Sequence, residues 1–304
     1  MDGLKGSTLI DAIAQTTFSG EPVLASLTTL DLRGCKKLHS TSLLHLIAAA
    51  PNLRHVNLKG VQSVSSEVIR ALARGTTSLE SLHVSRCWDI SLCDLCVFIK
   101  MLSPDQAGKL KVLRAAGLKA YGHGSDEFLP LVMDRLVNLE TLDLLGCTHI
   151  LDAHMISAAA SLEAESRYSN LNHLVLSGCV SLTAAIFPSM KDMFPNLTRL
   201  ELASIPEMFG ENGDGAKGFH DFLRTLPKLE KLDLDGTGSV GGVNDKMLAI
   251  LTPAKGETNA LHELRIGYAK GVTPEGLIRF IRGCTTLRNL EADVGPFLSL
   301  AGYY

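Results

Sequence analysis

Apolar residues recur along most of this chain in one short pattern, L-x-x-L-x-L with conservative changes, followed by an amphipathic stretch. The stretch from Leu261 to Leu287 shows the whole unit: the segment L-H-E-L-R-I, a tight turn, and a helical pattern from Pro274 to Cys284. The pattern opens ten times, at spacings of 26 to 32 residues, at Leu27, Leu53, Leu79, Leu110, Leu139, Leu171, Leu197, Leu229, Leu261 and Leu287. Self-similarity at a regular period predicts an array of repeated supersecondary units.

Each half of the unit predicts one element. After Leu27, the apolar residues Leu30 and Leu32 alternate with polar residues, which is the period-two pattern of a strand with one buried face. Farther on, Leu43 and Leu46 recur at helical spacing and predict a helix on the other side of the core. Every unit returns in the same sense, so the strands are predicted to be parallel.

A strand–helix unit with this period is the signature of the leucine-rich repeat. We therefore predict an α/β fold, a leucine-rich-repeat solenoid with a parallel concave sheet and helices on the convex side. Because helices are bulkier than strands, we expect the stack to curve into a horseshoe. Residues 27–294 are predicted to form ten repeats, the last incomplete. Residues 1–26 are predicted to form a half-repeat or cap, and residues 295–304 a C-terminal tail.

Cysteine follows the strand and its turn in several units, at Cys35, Cys87, Cys147 and Cys179. The string C-x-x-[IVL]-[TS]-x-x-x-L-x-x-[LF]-[IA] resembles the cysteine-containing repeats of F-box substrate receptors and their relatives in the ribonuclease-inhibitor-like superfamily. The last full unit matches it almost residue for residue, with Cys284 at the second cysteine position. The resemblance covers roughly residues 27 to 295. It implies the same fold, and a role in selecting proteins for ubiquitination.

The start of the chain departs from that family. In the F-box receptors a helical module, the F-box, precedes the repeats, whereas Met1 to Ser26 do not fit one. Two interpretations stay open: the sequence is a fragment of a longer F-box protein, or the protein lacks the module. We expect docking to a ubiquitin-ligase adaptor only if an F-box exists elsewhere.

Composition narrows the classes of partner. The net charge is −3 and 46% of the residues are hydrophobic, so we expect neither nucleic acid nor a membrane as partner. We find no signal-peptide pattern and no apolar run near the length of a membrane span, which predicts a cytoplasmic or nuclear protein. The odd number of cysteines, seven, is a poor disulfide framework.

Two motifs resemble a cofactor-binding or metal-binding site, and both are better explained as parts of the repeat. The stretch from Gly236 to Gly241 reads G-x-G-x-x-G, yet Gly236 falls on a repeated turn position, and Asp233 and Asp235 would repel a pyrophosphate. The pair Cys93 and Cys96 has no second ligand pair at zinc spacing. We therefore predict no cofactor, no metal and no catalytic residues, with an enzyme as the remote alternative.

The longer repeats carry insertions in two places. Those between strand and helix, which we expect to line one rim, are Lys119 to Glu127, Pro206 to Gly218 and Gly236 to Asn244. Those between helix and next strand are Ser103 to Lys109, Ser161 to Asn170 and Pro253 to Ala260. Two interpretations stay open: tolerated loop length, or a rim that contacts a partner.

The outward strand positions predict a binding face. Positive charge concentrates in the early repeats and negative charge in the late ones. The middle repeats place Val112, Ala116, Leu145, Val175 and Ala203 on neighbouring strands, where they should form an apolar patch. The predicted protein-binding residues of this concave face are Arg33, Lys59, His83, Val112, Arg114, Ala116, Asp143, Leu145, Val175, Glu201, Asp233, Asp235, Arg265 and Glu291.

The sequence thus predicts a protein–protein interaction module. The resemblance implies substrate recognition for an SCF-type ubiquitin ligase, as in F-box leucine-rich-repeat proteins. The alternative is a standalone leucine-rich-repeat scaffold or regulator without a ubiquitin role.

Overall fold

The computed structural model describes residues 24–119, 125–209, 215–237, 243–253 and 260–292. In these ranges, strands of three residues alternate with helices in the predicted order. The chain forms two compact units, Met1–Leu144 and Leu145–Tyr304, which are described in turn. None of the helices in these ranges is long and apolar enough to cross a membrane.

The first unit contains a five-stranded parallel sheet. Its strands are β1 (Thr29–Asp31), β2 (His55–Asn57), β3 (Ser81–His83), β4 (Val112–Arg114) and β5 (Thr141–Asp143). Its helices are α1 (Ser40–Ala49), α2 (Ser66–Gly75), α3 (Leu92–Met101), α4 (Pro104–Lys109) and α5 (Phe128–Arg135), the last preceded by a 3-10 turn at Ser125–Glu127. Each strand pairs with the next in sequence and in the same repeat register.

The second unit repeats this plan. Its strands are β6 (His173–Val175), β7 (Arg199–Glu201), β8 (Lys231–Asp233), β9 (Glu263–Arg265) and β10 (Asn289–Glu291). Its helices are α6 (Asp152–Ala164), α7 (Phe187–Met190), α8 (Gly215–Leu223), α9 (Asp245–Leu251) and α10 (Pro274–Gly283), with a 3-10 turn at Ala184–Ile186. The strand pairs β6–β7, β7–β8, β8–β9 and β9–β10 are all parallel.

The repeated leucines form the core, as the alternation predicts. In each strand the middle residue points inward, so Leu82 lies beside Leu113 in the β3–β4 pair and both are fully buried. The helices contribute their own apolar stripe, for example Val68 and Leu72 of α2, which are also fully buried. Burial of these continuous rows is the main stabilising contribution, because no single repeat can cover its own apolar side.

The side chain that follows the turn after each strand can donate a hydrogen bond to the backbone of the preceding repeat, which explains why cysteine recurs at this position. The buried Cys87 thiol donates to the Leu58 carbonyl of the preceding repeat at 3.1 Å. At the equivalent position, the Thr237 hydroxyl donates to the Leu202 carbonyl at 2.5 Å. Both side chains thus donate to a backbone carbonyl of the preceding repeat, and the Leu58 carbonyl also accepts the Val61 amide at 3.0 Å. Cys87 is therefore a small buried residue whose thiol reaches loop backbone, whereas Cys35, in the first repeat, is exposed.

Neighbouring helices of the second unit are joined at their first turns. Asp245, the first residue of α9, accepts from the backbone amide of Thr273 at 2.8 Å and from its hydroxyl at 2.6 Å. Asp152, the first residue of α6, makes the same two contacts with Thr183 at 2.8 and 2.6 Å. The helix N-terminus favours a carboxylate, and here that carboxylate also fixes the entry of the next helix.

Several predictions fall partly or wholly outside the described residues. These include most of the half-repeat at 1–26, the tail at 295–304, and parts of the rim insertions at 120–124, 210–214, 238–242 and 254–259. Of the insertions that are described, residues 104–109 form helix α4, and the segment beginning at Ser161 continues helix α6 to Ala164 before the chain turns.

Candidate functional site: the open sheet face

The strands expose one face in each unit. We call this the open face, and define it as the side chains of the first and third residues of each strand and of the second residue after the strand. The middle residue of each strand points into the core instead. Side chains at equivalent open-face positions therefore lie on neighbouring strands, about 4.8 Å apart. The predicted binding residues all lie at these positions.

The open face of the first unit is rich in cations. Lys59 and Arg33 are exposed, and Arg114 is half-buried on β4. Arg33 pairs with Asp31 of its own strand at 3.0 Å. The backbone amide of Arg33 also donates to that carboxylate, which holds the pKa of Asp31 below its usual value. Within the described part of the chain, Lys59 and Arg114 form no ion pair.

His83 lies among these cations and is held neutral. Burial, together with the positive charges of Arg114 and Lys59, lowers its pKa to about 4. An imidazole beside two cations at neutral pH therefore adds no positive charge of its own. A shallow groove crosses this part of the face and is lined by Asp31, His55, Asn57, Ser81, His83 and Arg114.

The open face of the second unit is built around a single arginine. Arg265 on β9 contacts Asp233 on β8 at 2.9 Å, Glu291 on β10 at 2.7 Å, and Asp235 at 3.4 Å. The hydrogen bond with Glu291 raises the pKa of Arg265, and burial raises the pKa of Asp233 despite its nearby donors. Much of the late negative charge seen in the sequence is therefore neutralised within the sheet.

Other charges of the second unit are also paired across strands. Lys231 on β8 contacts Glu263 on β9 at 2.6 Å. His173 on β6 lies 2.8 Å from Glu201 on β7. Together with the Arg265 contacts, these pairs run across β6 to β10. Cross-strand pairs of opposite charge stabilise a sheet modestly and leave little single-sign field for a partner.

Asp235, a predicted binding residue, has a structural role. Its carboxylate accepts the backbone amide of Gly267 on the next repeat. At the equivalent position, the Ser85 hydroxyl accepts the Ala116 amide at 3.0 Å, and Ser177 accepts the Ala203 amide at 3.0 Å. A methyl group on Gly267 would overlap the Asp235 carboxylate, so the longer acceptor requires glycine opposite it.

The apolar positions of the predicted patch differ in exposure. Leu145 is 41% exposed and Val112 is half-buried, but Val175 is 4% exposed and Ala116 is 7% exposed. In the parallel register, Val175 lies directly beside Glu201, whose longer side chain forms the pair with His173. Small apolar residues on a sheet face are readily covered by longer neighbours, so the patch exposes less apolar surface than its sequence suggests.

Residues at the turn after each strand add a second exposed row. The first turn residue has a left-handed backbone in nine repeats: it is glycine at Gly34, Gly60, Gly117, Gly146, Gly178 and Gly236, but Arg86, Ser204 and Tyr268 at the other three. A left-handed conformation is unfavourable for residues with a Cβ atom. Tyr268 is 71% exposed and was not singled out from the sequence. The loss of glycine at a repeated glycine position is the signal that identifies it.

Trp88, two residues after Arg86, is also exposed. Its side chain is 52% accessible, and the Lys119 ammonium lies 5.9 Å from the ring centroid. A tryptophan at this turn could pack on the rim or stay exposed as an anchor, and its accessibility favours the second role. Aromatic and arginine side chains at exposed positions are typical of protein-binding hot spots.

The cysteines have the properties of packing residues. Burial raises the pKa of Cys87 to about 11 and that of Cys96, on helix α3, to about 12, so both thiols stay protonated at neutral pH. Across the described ranges, no three His, Cys, Asp or Glu side chains come together in a way that would hold a metal ion.

Comparison with solved structures identifies the fold. The crystal structure of Rad7 in complex with Elc1 from yeast is similar over 96% of this chain and 78% of that chain, with a TM-score of 0.59 and 16% identity. The leucine-rich-repeat-containing protein LegL7 from Legionella pneumophila is similar over 100% of this chain and 92% of that chain, with a TM-score of 0.51 and 15% identity. No protein-family model and no curated protein sequence matches this chain.

These findings confirm the predicted fold class. The alternating strands and helices, the parallel pairing in each unit and the two similar structures define an α/β leucine-rich-repeat solenoid. At these levels of identity the likeness establishes the fold, and function has to be argued from the open face itself.

Proposed function

We propose that this chain is a protein-recognition module whose partner binds the open sheet face. The observation that carries the proposal is the cationic part of the first unit, where Arg114 on β4 and Lys59, two residues after β2, have no ion-pair partner among the described residues. Charged side chains held at fixed places select partners by electrostatic complementarity. The open face of the second unit offers a separate apolar position, the exposed Leu145.

Two further considerations support a binding role. Parallel strands give side chains a constant spacing, so a partner can contact the same row in successive repeats. One protein with a similar fold, yeast Rad7, was crystallised in complex with another protein, Elc1. A protein partner is therefore in keeping with what this fold supports.

The sharper form of the proposal is substrate recognition for an SCF-type ubiquitin ligase. It rests on the resemblance of the cysteine-containing repeats to those of F-box receptors. Affinity purification of the full-length protein distinguishes the receptor from a scaffold. A receptor is expected to co-purify with a cullin-ligase adaptor, whereas a scaffold or regulator is expected to bring down partners without ubiquitin machinery.

The binding proposal is tested by selecting binders from a random peptide-display library with the purified protein. We expect peptides that recognise the first unit to bind Lys59→Glu, and peptides that recognise the second unit to bind Leu145→Arg, at least about 10-fold more weakly than wild type. Arg70→Glu, on an exposed position of helix α2, is the matched control and should bind normally. Circular dichroism verifies that each variant is folded. Failure to select any binder, or equal loss with Arg70→Glu, would refute binding on the open face.

A further inference from the structure

The turn between β3 and α3 and the neighbouring turn after β4 form a distinct exposed rim in the first unit. We call this the β3–β4 rim and define it by Arg86, Trp88 and Lys119. The ends of three repeats are joined here, since the Gly60 amide donates to the Ser85 carbonyl at 2.9 Å and the Arg86 amide to the Ala116 carbonyl at 2.8 Å. The rim therefore continues directly from the open face.

Arg86 is held on this rim at a cost. Its φ of 59° is left-handed, at a position where six other repeats have glycine. Its side chain lies against the next turn, because a Cβ atom placed on Gly117 would stand 3.7 Å from the Arg86 Cγ. A strained non-glycine residue with an exposed, oriented cation is a common feature of functional surfaces.

Trp88 and Lys119 are the other two residues of the rim, and they contact each other. The ammonium of Lys119 lies over the indole ring, within the range of a cation–π interaction. This contact holds two long side chains in place, while 52% of the Trp88 surface stays accessible. Large aromatic residues with restrained geometry lose little entropy on binding, so they serve well as anchors.

The charges around the rim have one dominant sign. Lys59 and Arg114 of the open face adjoin it, and His83 between them is neutral at pH 7. Among the described residues of this surface, the opposing carboxylates are Asp31, which is paired with Arg33, Asp143 on β5, and Asp89 beside Trp88. Cations thus outnumber carboxylates on this surface, although the whole chain carries a net charge of −3.

We infer that the β3–β4 rim, together with Lys59 and Arg114, binds an acidic segment of a partner protein, with Trp88 as its apolar anchor. The inference rests on the proposed function and names the chemistry of the partner. A nucleic acid is the less suitable ligand, because its phosphates favour a longer basic stripe in a basic domain, and this chain has a sequence pI of about 6.4.

The test uses Trp88 itself, which is the only tryptophan in the sequence. A peptide from the display selection is titrated into the full chain while tryptophan emission is recorded. We expect the selected sequences to be enriched in Asp and Glu, and the peptide to shift or quench the emission. A control peptide with Gln and Asn in place of Glu and Asp should bind at least about 10-fold more weakly. Added salt should lower the affinity of the acidic peptide.

Three variants locate the site. Arg114→Glu is expected to weaken binding about 10-fold or more, and Arg86→Gly by about 3- to 10-fold. Glycine suits the left-handed turn, so Arg86→Gly should stay folded and removes only the side chain. Arg70→Glu on helix α2 should bind as wild type does.

Each outcome supports or overturns the inference. Enrichment of neutral or basic peptides would overturn it while leaving recognition on the open face intact. Acidic peptides that bind Arg86→Gly and Arg114→Glu as well as wild type would overturn the location. A larger emission change with oligouridylate than with the acidic peptide would overturn it in favour of nucleic acid. Selection of no peptide at all would remove the proposed function as well.

Discussion

The open faces of the two units carry similar residue types but use them differently. In the first unit, Lys59 and Arg114 form no ion pair with the described residues. In the second, Arg265 contacts three carboxylates and Lys231 contacts Glu263. The comparison shows that the charge available to a partner depends on pairing across strands, which a count of charged residues does not reveal.

The acceptor that joins neighbouring strand ends also differs along the chain. Ser85 in the first unit and Ser177 in the second each use a hydroxyl to accept the backbone amide of the next repeat. Asp235, also in the second unit, uses a carboxylate that accepts the Gly267 amide and contacts Arg265 as well. The carboxylate therefore adds an ion pair within the sheet that the hydroxyls do not make.

The largest effect is expected from a new charge at a buried position. Val175→Glu should lower the free energy of unfolding by about 3 kcal/mol, because it places a carboxylate at a site that is 4% exposed, beside Glu201. Val112→Glu, half-buried next to the cations of the first unit, should cost less than about 1 kcal/mol. Urea unfolding of both variants measures the difference. Equal destabilisation would show that the two faces are alike at these positions.

Next in size is the effect of adding a methyl group in the second unit. Gly267→Ala should cost about 2 kcal/mol, because the new Cβ atom would overlap the Asp235 carboxylate. In an Asp235→Ser background the pair becomes equivalent to Ser85 and Ala116, and the cost should largely disappear. A double-mutant cycle by thermal or urea unfolding measures this coupling. If the effects of Gly267→Ala and Asp235→Ser on stability were additive, the Asp235 carboxylate would not be what hinders a side chain at Gly267.

The next prediction is the pH dependence of stability that His83 contributes on the cationic face of the first unit. Its pKa is about 4 in the folded chain and has the ordinary histidine value of 6.5 in the unfolded chain, which therefore binds more protons between these two pH values. Wild type should therefore lose stability relative to His83→Gln as pH falls from about 6.5 to about 4, by roughly 1–2 kcal/mol allowing for solvent screening. Urea unfolding over this pH range provides the measurement. A pH-independent difference would show that burial and the neighbouring cations do not lower the pKa of His83.

The smallest expected difference concerns the two arginines. Arg265→Met should cost about 1 kcal/mol, because it leaves the half-buried Asp233 without its cation, while Glu291 and Asp235 also lose a partner. Arg114→Met should change stability by less than about 0.5 kcal/mol, since no described carboxylate pairs with it. Melting curves of the two variants, recorded under the same conditions, measure these losses of stability. A larger loss for Arg114→Met than for Arg265→Met would contradict the contrast between the two units.

Much of the architecture was predictable from local pattern. The alternation at Leu30 and Leu32 and the helical spacing at Leu43 and Leu46 predicted strand and helix correctly, since burial of an apolar face depends on period alone. The repeat register even placed Cys87 and Thr237 at the same position. Their common hydrogen bond to the preceding repeat then follows from a donor of suitable size at one fixed place.

The binding face was predictable only in part. Sequence register places every predicted site residue on the outward side of a strand, but it does not fix how long side chains bend toward their neighbours. Asp235 became an acceptor for Gly267, and Val175 became covered, through contacts between successive repeats. Such contacts join residues about 30 positions apart, beyond the reach of any local pattern.

The sequence by itself determined the repeat, its period and the leucines that form the core, because hydrophobic periodicity is a local property that burial converts directly into strand and helix. Only the tertiary structure decided which charges remain available. Lys59 and Arg114 stayed unpaired among the described residues, while Arg265 was enclosed by Asp233, Asp235 and Glu291. The physical reason is that ion pairing depends on distances of a few ångströms between strands, and these distances exist only after the repeats have stacked.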